Sequence, residues 1–259
     1  MSDLIQLQTR DHIAILTIAN PPANTWTAES LVALETLIGE LNADTGIYAL
    51  VVTGQGEKFF SAGADLKSFA DGDLARANDM AQKFGRAFAA LTAFRGVSIA
   101  AINGYAMGGG LECALACDLR IAEAHARMAL PEASVGLLPC AGGTQNLPWL
   151  VGEGWAKRMI LCGERVDANR ALQIGLVEEV VPSGQGLEAA LKLAQGACRQ
   201  SPSSVARCKQ LVMSARDGRN HRDGWRLERE LFVELFHTGD QKEGVNAFLE
   251  KRQPVWKNQ

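Results

Sequence analysis

Apolar residues in this chain follow two rhythms. Short, largely apolar runs occur at 13–18, 49–53 and 98–102, and Asp118-Leu-Arg-Ile-Ala122 reads as a further strand. They are rich in isoleucine and valine and too short for stable helices, so they predict strands. The run at 49–53, closed by Gly54, predicts a strand buried on both faces. Between the runs, apolar residues recur every three or four positions over 31–41 and 75–94, predicting helices that each bury one face. Strands alternating with helices argue for an α/β fold with parallel pairing. Beyond about residue 181 only the helical rhythm remains, over 187–197, 203–216, 225–236 and 242–251. We therefore expect an α/β core over residues 1–195 and a helical region over 196–259. The alternating charges and apolar stripes of that second region suit packing on another subunit. No internal repeat, low-complexity stretch or long linker interrupts the pattern.

Composition narrows the function classes. The chain has 259 residues, 47% of them hydrophobic, which is enough for one substantial core. A formal net charge of −3 with no dense basic helix argues against nucleic acid as a partner. No apolar run approaches the roughly 18 residues of a membrane helix. The N-terminal segment lacks the basic and apolar regions of a signal peptide. A cytoplasmic protein without a membrane partner is expected. The six cysteines are scattered and read as reduced, buried thiols. Cys113 and Cys117 lie one helical turn apart, but no histidine or further cysteine stands at ligand spacing, so no metal site is expected.

Candidate chemistry centres on two glutamates. Glu112 closes Asn103-Gly-Tyr-Ala-Met-Gly-Gly-Gly-Leu-Glu112, and Glu132 closes Met128-Ala-Leu-Pro-Glu132 ahead of Gly136-Leu-Leu-Pro-Cys-Ala-Gly-Gly-Thr144. Gly108, Gly109 and Gly110 follow a predicted strand and lead into a helix through 111–116. The first turn of that helix has unpaired NH groups at the positive end of its dipole, a good place for a developing oxyanion. Plain turn glycines would explain three glycines alone. A dinucleotide loop fits poorly, because the spacing is not G-x-G-x-x-G. The helix dipole favours an ionised Glu112, suited to activating water. Pro131 restrains the chain before Glu132. If the two carboxyl groups share a pocket, both cannot ionise cheaply, and one keeps a proton to act as an acid. Upstream lies Phe60-Ser-Ala-Gly-Ala-Asp-Leu-Lys67. Ala64 can contribute only its backbone NH there, and Asp65 reads best as the cap of the next helix.

Taken together, Ala62-Gly-Ala-Asp-Leu-Lys67, the 103–112 segment, Pro131-Glu132 and Gly142-Gly-Thr-Gln145 resemble the enoyl-CoA hydratase/isomerase (crotonase) family. The likeness extends to Ile174-Gly-Leu-Val177 and Glu243-Gly-Val-Asn-Ala-Phe-Leu-Glu-Lys-Arg252, covering nearly the whole chain. It implies a crotonase-like α/β spiral of ββα units with a C-terminal helical oligomerisation region, assembled as a trimer or a dimer of trimers. An acyl-CoA substrate is implied, with coenzyme A entering as the thioester and no further cofactor. The family's oxyanion hole falls on the NH groups of Ala64 and Gly109, and its catalytic pair on Glu112 and Glu132. Substrate contacts are implied at Ala62, Ala64, Asp65, Leu66, Lys67, Gly108, Gly109, Pro131, Cys140, Phe232 and Lys251. The implied reaction is hydration of a trans-2-enoyl-CoA to a 3-hydroxyacyl-CoA.

One position departs from the family: Cys140 stands where typical hydratases carry a glycine. Its NH remains, while its thiol can narrow the pocket. The nearest alternative is an enoyl-CoA delta isomerase or another acyl-CoA lyase of the family. Isomerases commonly need only the glutamate at the Glu132 position, so Glu112 favours hydration. A serine hydrolase is disfavoured by the lack of a G-x-S-x-G elbow and of motif partners for His12, His125, His221 and His237. An RNA-binding role and a silent CoA-binding role are disfavoured by the acidic balance and the intact glutamates, respectively. Acyl-chain identity is not fixed by the sequence. The pocket walls are expected from residues 66–84 together with Trp149 and its neighbours; Trp26 and Trp149 could each line a pocket, although large aromatics are commoner in cores.

Overall fold

The computed structural model describes residues 3–218 and 220–259. It opens with a hairpin of β1 (Ile5–Arg10) and β2 (Ile13–Ile18), paired antiparallel with Ile5 opposite Ile18. Helix α1 (Ala28–Ala43) follows, its start fixed by reciprocal capping between Thr27 and Ser30. Three similar turns of chain come next. The first is β3 (Ala49–Gly54), β4 (Phe59–Ser61) and α2 (Leu74–Thr92). The second is β5 (Val97–Ile102), β6 (Tyr105–Met107) and α3 (Gly109–Ala116). The third is β7 (Leu119–Glu123), β8 (Arg127–Ala129) and α4 (Gly143–Leu161). Each turn gives one strand to a large sheet, one to a small sheet, and then a helix.

The turns stack as a spiral because like strands pair with like. After them come β9 (Val166–Asp167), α5 (Ala168–Gln173), β10 (Glu179–Val181) and α6 (Gly186–Cys198). The large sheet runs β1-β2-β3-β5-β7-β10 and the small sheet β4-β6-β8-β9. From β2 to β10 the large sheet is wholly parallel. Both of its faces are covered. Leu16, Leu50, Val52 and Ile102 face a core shared with Trp26, Phe84, Phe88 and Leu111. The alternate positions Ile13, Ile15, Val51, Ile99 and Ile121 pack against Ala190 and Ala194 of α6. Double coverage explains why these strands read as unbroken apolar runs rather than alternating ones.

The predicted strands and helices are present with small shifts at their ends. The three-residue strands of the small sheet and helix α4 were not foreseen. Three residues are too few to show a period, and α4 is interrupted by Pro148 and by Gly152, which adopts φ 77°. The cysteine expectation needs correction. Only Cys113 and Cys117 are buried, whereas Cys140, Cys162 and Cys208 are exposed and Cys198 is half-buried. These exposed thiols lie in turns and on helix surfaces, positions a one-dimensional count of apolar neighbours does not distinguish.

The C-terminal helices are α7 (Pro202–Arg216), α8 (His221–Glu234) and α9 (Gly239–Leu249), with a 3-10 turn, Leu235–His237, before α9. Lys209 pins α7 to the core. Its Nζ donates to Asp118 Oδ2 at 2.8 Å and to the carbonyls of Phe94 and Gly96 at 2.6 and 3.2 Å. The end of the chain is tied back as well. Asp240 Oδ1 accepts from the NH groups of Lys257 and Asn258 at 2.9 and 3.1 Å, and Asn258 Nδ2 donates to Thr45 O at 2.9 Å. A cavity of about 1120 Å³ separates α7 from the edge formed by α3, β7 and α4. Trp149 lines it, and none of the candidate site residues does. Among the described residues no helix is long and apolar enough to cross a membrane.

Removing the Lys209 ammonium leaves two carbonyls and a largely enclosed carboxylate short of donors. We expect Lys209→Ala to lower unfolding free energy by about 2–4 kcal/mol, measured by urea denaturation at neutral pH. A loss within error of zero would show that α7 is held by packing alone.

Candidate active site

The spiral brings its second and third turns together around Glu112. This glutamate sits in the first turn of α3 and is only 2% exposed. A buried carboxylate needs donors, and it finds them across the fold. Its Oε1 accepts from the NH of Ala141 at 2.8 Å and of Gly143 at 2.9 Å. Both belong to the junction entering α4, and space there is tight: a Cβ on Gly143 would come within 3.0 Å of Glu112 Oε1 and 2.9 Å of Pro139 Cβ. Burial pushes the Glu112 carboxyl up from its ordinary range, and the NH groups of Gly143, Ala141 and Cys140 draw it back.

Glu132 opens the 3-10 turn Glu132–Val135, directly after Pro131. It has the opposite surroundings. Both carboxyl oxygens are buried, and neither has a hydrogen-bond partner among the described residues. Its pKa is pushed up to about 7 chiefly by burial; its own backbone NH opposes this, and the nearby Glu112 adds a smaller upward push. A Cβ on Gly108 would lie 3.2 Å from Glu132 Oε1, so this carboxyl faces the entry to α3. Gly108 there has φ 52°, a conformation glycine adopts without strain. One carboxyl is thus poised to stay protonated near neutrality while the other is held by backbone donors.

The segment 61–65 lies against the same entry. Gly63, with φ 90°, packs so closely that a Cβ would meet Met107 O at 2.7 Å and the Gly109 nitrogen at 3.1 Å. Trp26 N donates to Gly63 O at 2.8 Å and Asp65 N to Trp26 O at 3.1 Å, which leaves the Ala64 NH directed away from Trp26. Among the described residues neither the Ala64 nor the Gly109 NH has a protein acceptor. Gly109 is at the first position of α3, where an NH has no partner within the helix. Two unspent donors therefore stand on adjoining segments, near two carboxyl groups. Ala62 precedes them, its NH bound to Ala23 O at 2.9 Å. Asp65 caps the 3-10 turn Leu66–Phe69, accepting from Lys67 N at 3.1 Å, while Leu66 and Lys67 are exposed.

Cys140 lies on the segment between Glu132 and the Ala141 and Gly143 donors to Glu112. The residue is exposed, yet the protein around its thiol, followed by the charges of Glu112 and Glu132, raises its pKa to about 11. It is a neutral thiol near pH 7, which disfavours a nucleophilic role. Phe232 and Lys251 are not brought to this cluster by their own contacts. Phe232, 62% exposed on α8, stacks edge-on with Phe236, and Lys251 donates its NH to Phe248 O at 3.2 Å just beyond α9. Trp26 is a core residue, as expected, whereas Trp149 belongs to the α7 cavity.

Sequence reasoning missed the donors to Glu112. Ala141 and Gly143 carry no reactive side chain, and the only available signal was the glycine pair at 142–143. Phe84, at the end of the stretch expected to wall the pocket, does approach the entry to α3: its ring lies 2.9 Å from where a Gly109 Cβ would stand.

Residues 8–259 match the family described as enoyl-CoA hydratase/isomerase. The chain is 42% identical to the 2,3-dehydroadipyl-CoA hydratase of Escherichia coli K12, with 99% of each protein covered. It is 36% identical to the short-chain-enoyl-CoA hydratase of Clostridium acetobutylicum, over 95% of this chain and 94% of that one. Among solved structures, Pseudomonas aeruginosa DspI is 65% identical, with a TM-score of 0.96 over 99% of this chain and 97% of that chain.

The raised Glu132 pKa carries a stability signature. A carboxyl whose folded pKa lies above its unfolded value stabilises the fold below the unfolded pKa, near 4.5, and loses that contribution as pH rises through about 7. The wild type should therefore lose about 1–2 kcal/mol more than Glu132→Gln between pH 5 and 8.5, after allowing for partial solvent access. Parallel stability curves in chemical denaturation would show that Glu132 ionises without cost.

Proposed function

Because the chain belongs to the enoyl-CoA hydratase/isomerase family, we propose that it adds water across the double bond of a trans-2-enoyl-CoA to give a 3-hydroxyacyl-CoA. The observation that carries this reading is the unlike pair: Glu112 held by two backbone donors, and Glu132 buried without a partner and protonated near neutrality. Isomerisation needs one proton shuttle. Hydration needs a group to activate water and another to protonate carbon, and two such groups face this site.

In the proposed reaction the thioester oxygen accepts from the NH groups of Ala64 and Gly109. Charge drawn onto that oxygen makes C3 electrophilic. Glu112, oriented through Oε1, takes a proton from water as the water oxygen attacks C3. Electron density moves to an enolate-like state, which the two NH donors stabilise more strongly than the ground-state carbonyl. Glu132 then gives its proton to C2. The desolvation that raises its pKa makes it a competent acid near pH 7. The Cys140 NH borders the water position, and Pro131 sets where Glu132 begins.

We assign the coenzyme A contacts to the segment from Ala62 through Lys67, to Gly108, and to Phe232 and Lys251 in the C-terminal region. Coenzyme A enters as part of the substrate, without a separate cofactor. We also infer a homo-oligomer, a trimer or a dimer of trimers, acting in the cytoplasm. The exposure of Trp225, Phe232, Phe236 and Phe248 on the C-terminal helices supports association through that region.

Glu112→Gln and Glu132→Gln should each reduce hydration of crotonyl-CoA by about 100-fold or more, followed as loss of enoyl-thioester absorbance. Conversion of a 3-enoyl-CoA to its 2-enoyl isomer, with crotonyl-CoA left untouched, would overturn the hydratase reading. In the hydration direction kcat/KM should fall as pH rises past about 7, because Glu132 loses its proton. It should also fall in acid as Glu112 gains one. Glu132→Gln should abolish the alkaline limb of whatever activity remains.

A further inference from the structure

We propose that Trp26 is a positioning residue: it fixes the spacing between the Ala64 and Gly109 NH groups, and with it their grip on the thioester oxygen. The inference rests on the acyl-CoA reading above and adds to it a residue that does not touch the reacting atoms.

Trp26 meets both donor segments, one with its backbone and the other with its ring. Residues 23–26 run beside residues 62–65. Ala62 N donates to Ala23 O at 2.9 Å, Trp26 N to Gly63 O at 2.8 Å and Asp65 N to Trp26 O at 3.1 Å. The last two bonds flank Ala64, which pairs with Trp26 in a parallel bridge. The indole reaches the second segment. Its Cδ1 lies 3.6 Å from where a Gly109 Cβ would stand, and the Phe84 ring approaches the same point. Phe88 of α2 stands edge-on to both rings, with centroids 5.5 Å from Trp26 and 5.7 Å from Phe84. The indole is therefore wedged between α2 and the first residue of α3.

Gly109 has no side chain to anchor it, so its NH is placed by what packs against it. Trp26 is fully buried, and in a close-packed interior such a ring moves only if its neighbours move. The indole N–H is not what matters at this contact. Nε1 is buried and has no hydrogen-bond partner among the described residues. The ring acts through its bulk, and a smaller side chain would let Gly109 settle away from Ala64. An oxyanion donor must stand about 3 Å from the developing charge. Misplacement by about 1 Å costs about 100-fold in rate.

The test compares Trp26→Phe and Trp26→Leu with the wild type, per folded protein. It reads crotonyl-CoA kinetics and the absorbance of bound 2,4-hexadienoyl-CoA, recorded before turnover. That conjugated thioester absorbs clear of adenine, and its band moves to longer wavelength as the carbonyl is polarised. A merely structural role changes how much protein is folded, not where the band lies. We expect kcat to fall about 3- to 10-fold in Trp26→Phe and about 100-fold in Trp26→Leu, with KM within about threefold of the wild type. The red shift should shrink in the same order. A wild-type band position in folded Trp26→Leu, or in Trp26→Phe if Trp26→Leu does not fold, overturns the proposal. So does a loss in Trp26→Phe as large as in Trp26→Leu, which would assign the effect to the N–H. A band left unmoved by the wild type overturns the proposal together with the acyl-CoA reading. A shifted band without hydration of crotonyl-CoA sinks hydration alone, and the order of the shifts still decides the role of Trp26.

Discussion

A carboxylate taken out of water must be met by donors, and the burial of Glu112 imposes that condition on the whole site. Its oxygen is satisfied by Ala141 and Gly143, some thirty residues further along the chain. The bond can exist only if the start of α3 and the start of α4 are held side by side. The same condition fixes the end of the segment that carries Glu132 and Cys140. A single desolvated group thus couples one helix start to the next.

The spiral supplies the rigidity this coupling needs. Each turn places a strand in both sheets before its helix, so the loop entering α3 is clamped between two sheets and the helix layer. The contact of Gly63 with Met107 and Gly109 shows how closely the neighbouring turn approaches. At such distances backbone NH groups are positioned by the strands rather than by flexible side chains. Donors fixed in this way need not reorganise as charge develops, which is what makes an oxyanion site effective. The unlike environments of the two glutamates have the same origin. Glu112 lies where two backbone donors converge, while among the described residues no other residue's donor reaches Glu132.

The C-terminal helices follow a different logic. Lys209 and Asp240 tie them to the core by a few charged contacts, and a large cavity remains beneath α7. Their exposed aromatic faces are unlike the closed apolar layers around the main sheet. Phe232 and Lys251 lie in this region and have no contact of their own that carries them to the glutamates. Their assigned role therefore depends on how the region is covered in an assembly more than on the fold of the single chain.

The sequence alone determined the alternation of buried strands and amphipathic helices, because hydrophobic period is a local property. The motifs around Glu112 and Glu132 singled out the two carboxyl groups, and the family resemblance those motifs carry pointed to the NH groups of Ala64 and Gly109. It could not reveal the small sheet, whose three-residue strands carry no period, nor α4 across its Pro148 and Gly152 break. It also misjudged the cysteines and Trp149, since solvent exposure is settled by elements distant in sequence. Only the tertiary structure decided that Ala141 and Gly143 serve Glu112 and that, among the described residues, Glu132 has no hydrogen-bond partner for its carboxyl oxygens. Those properties arise where separate turns of the spiral meet, and a contact across some thirty residues leaves no local trace in the order of amino acids.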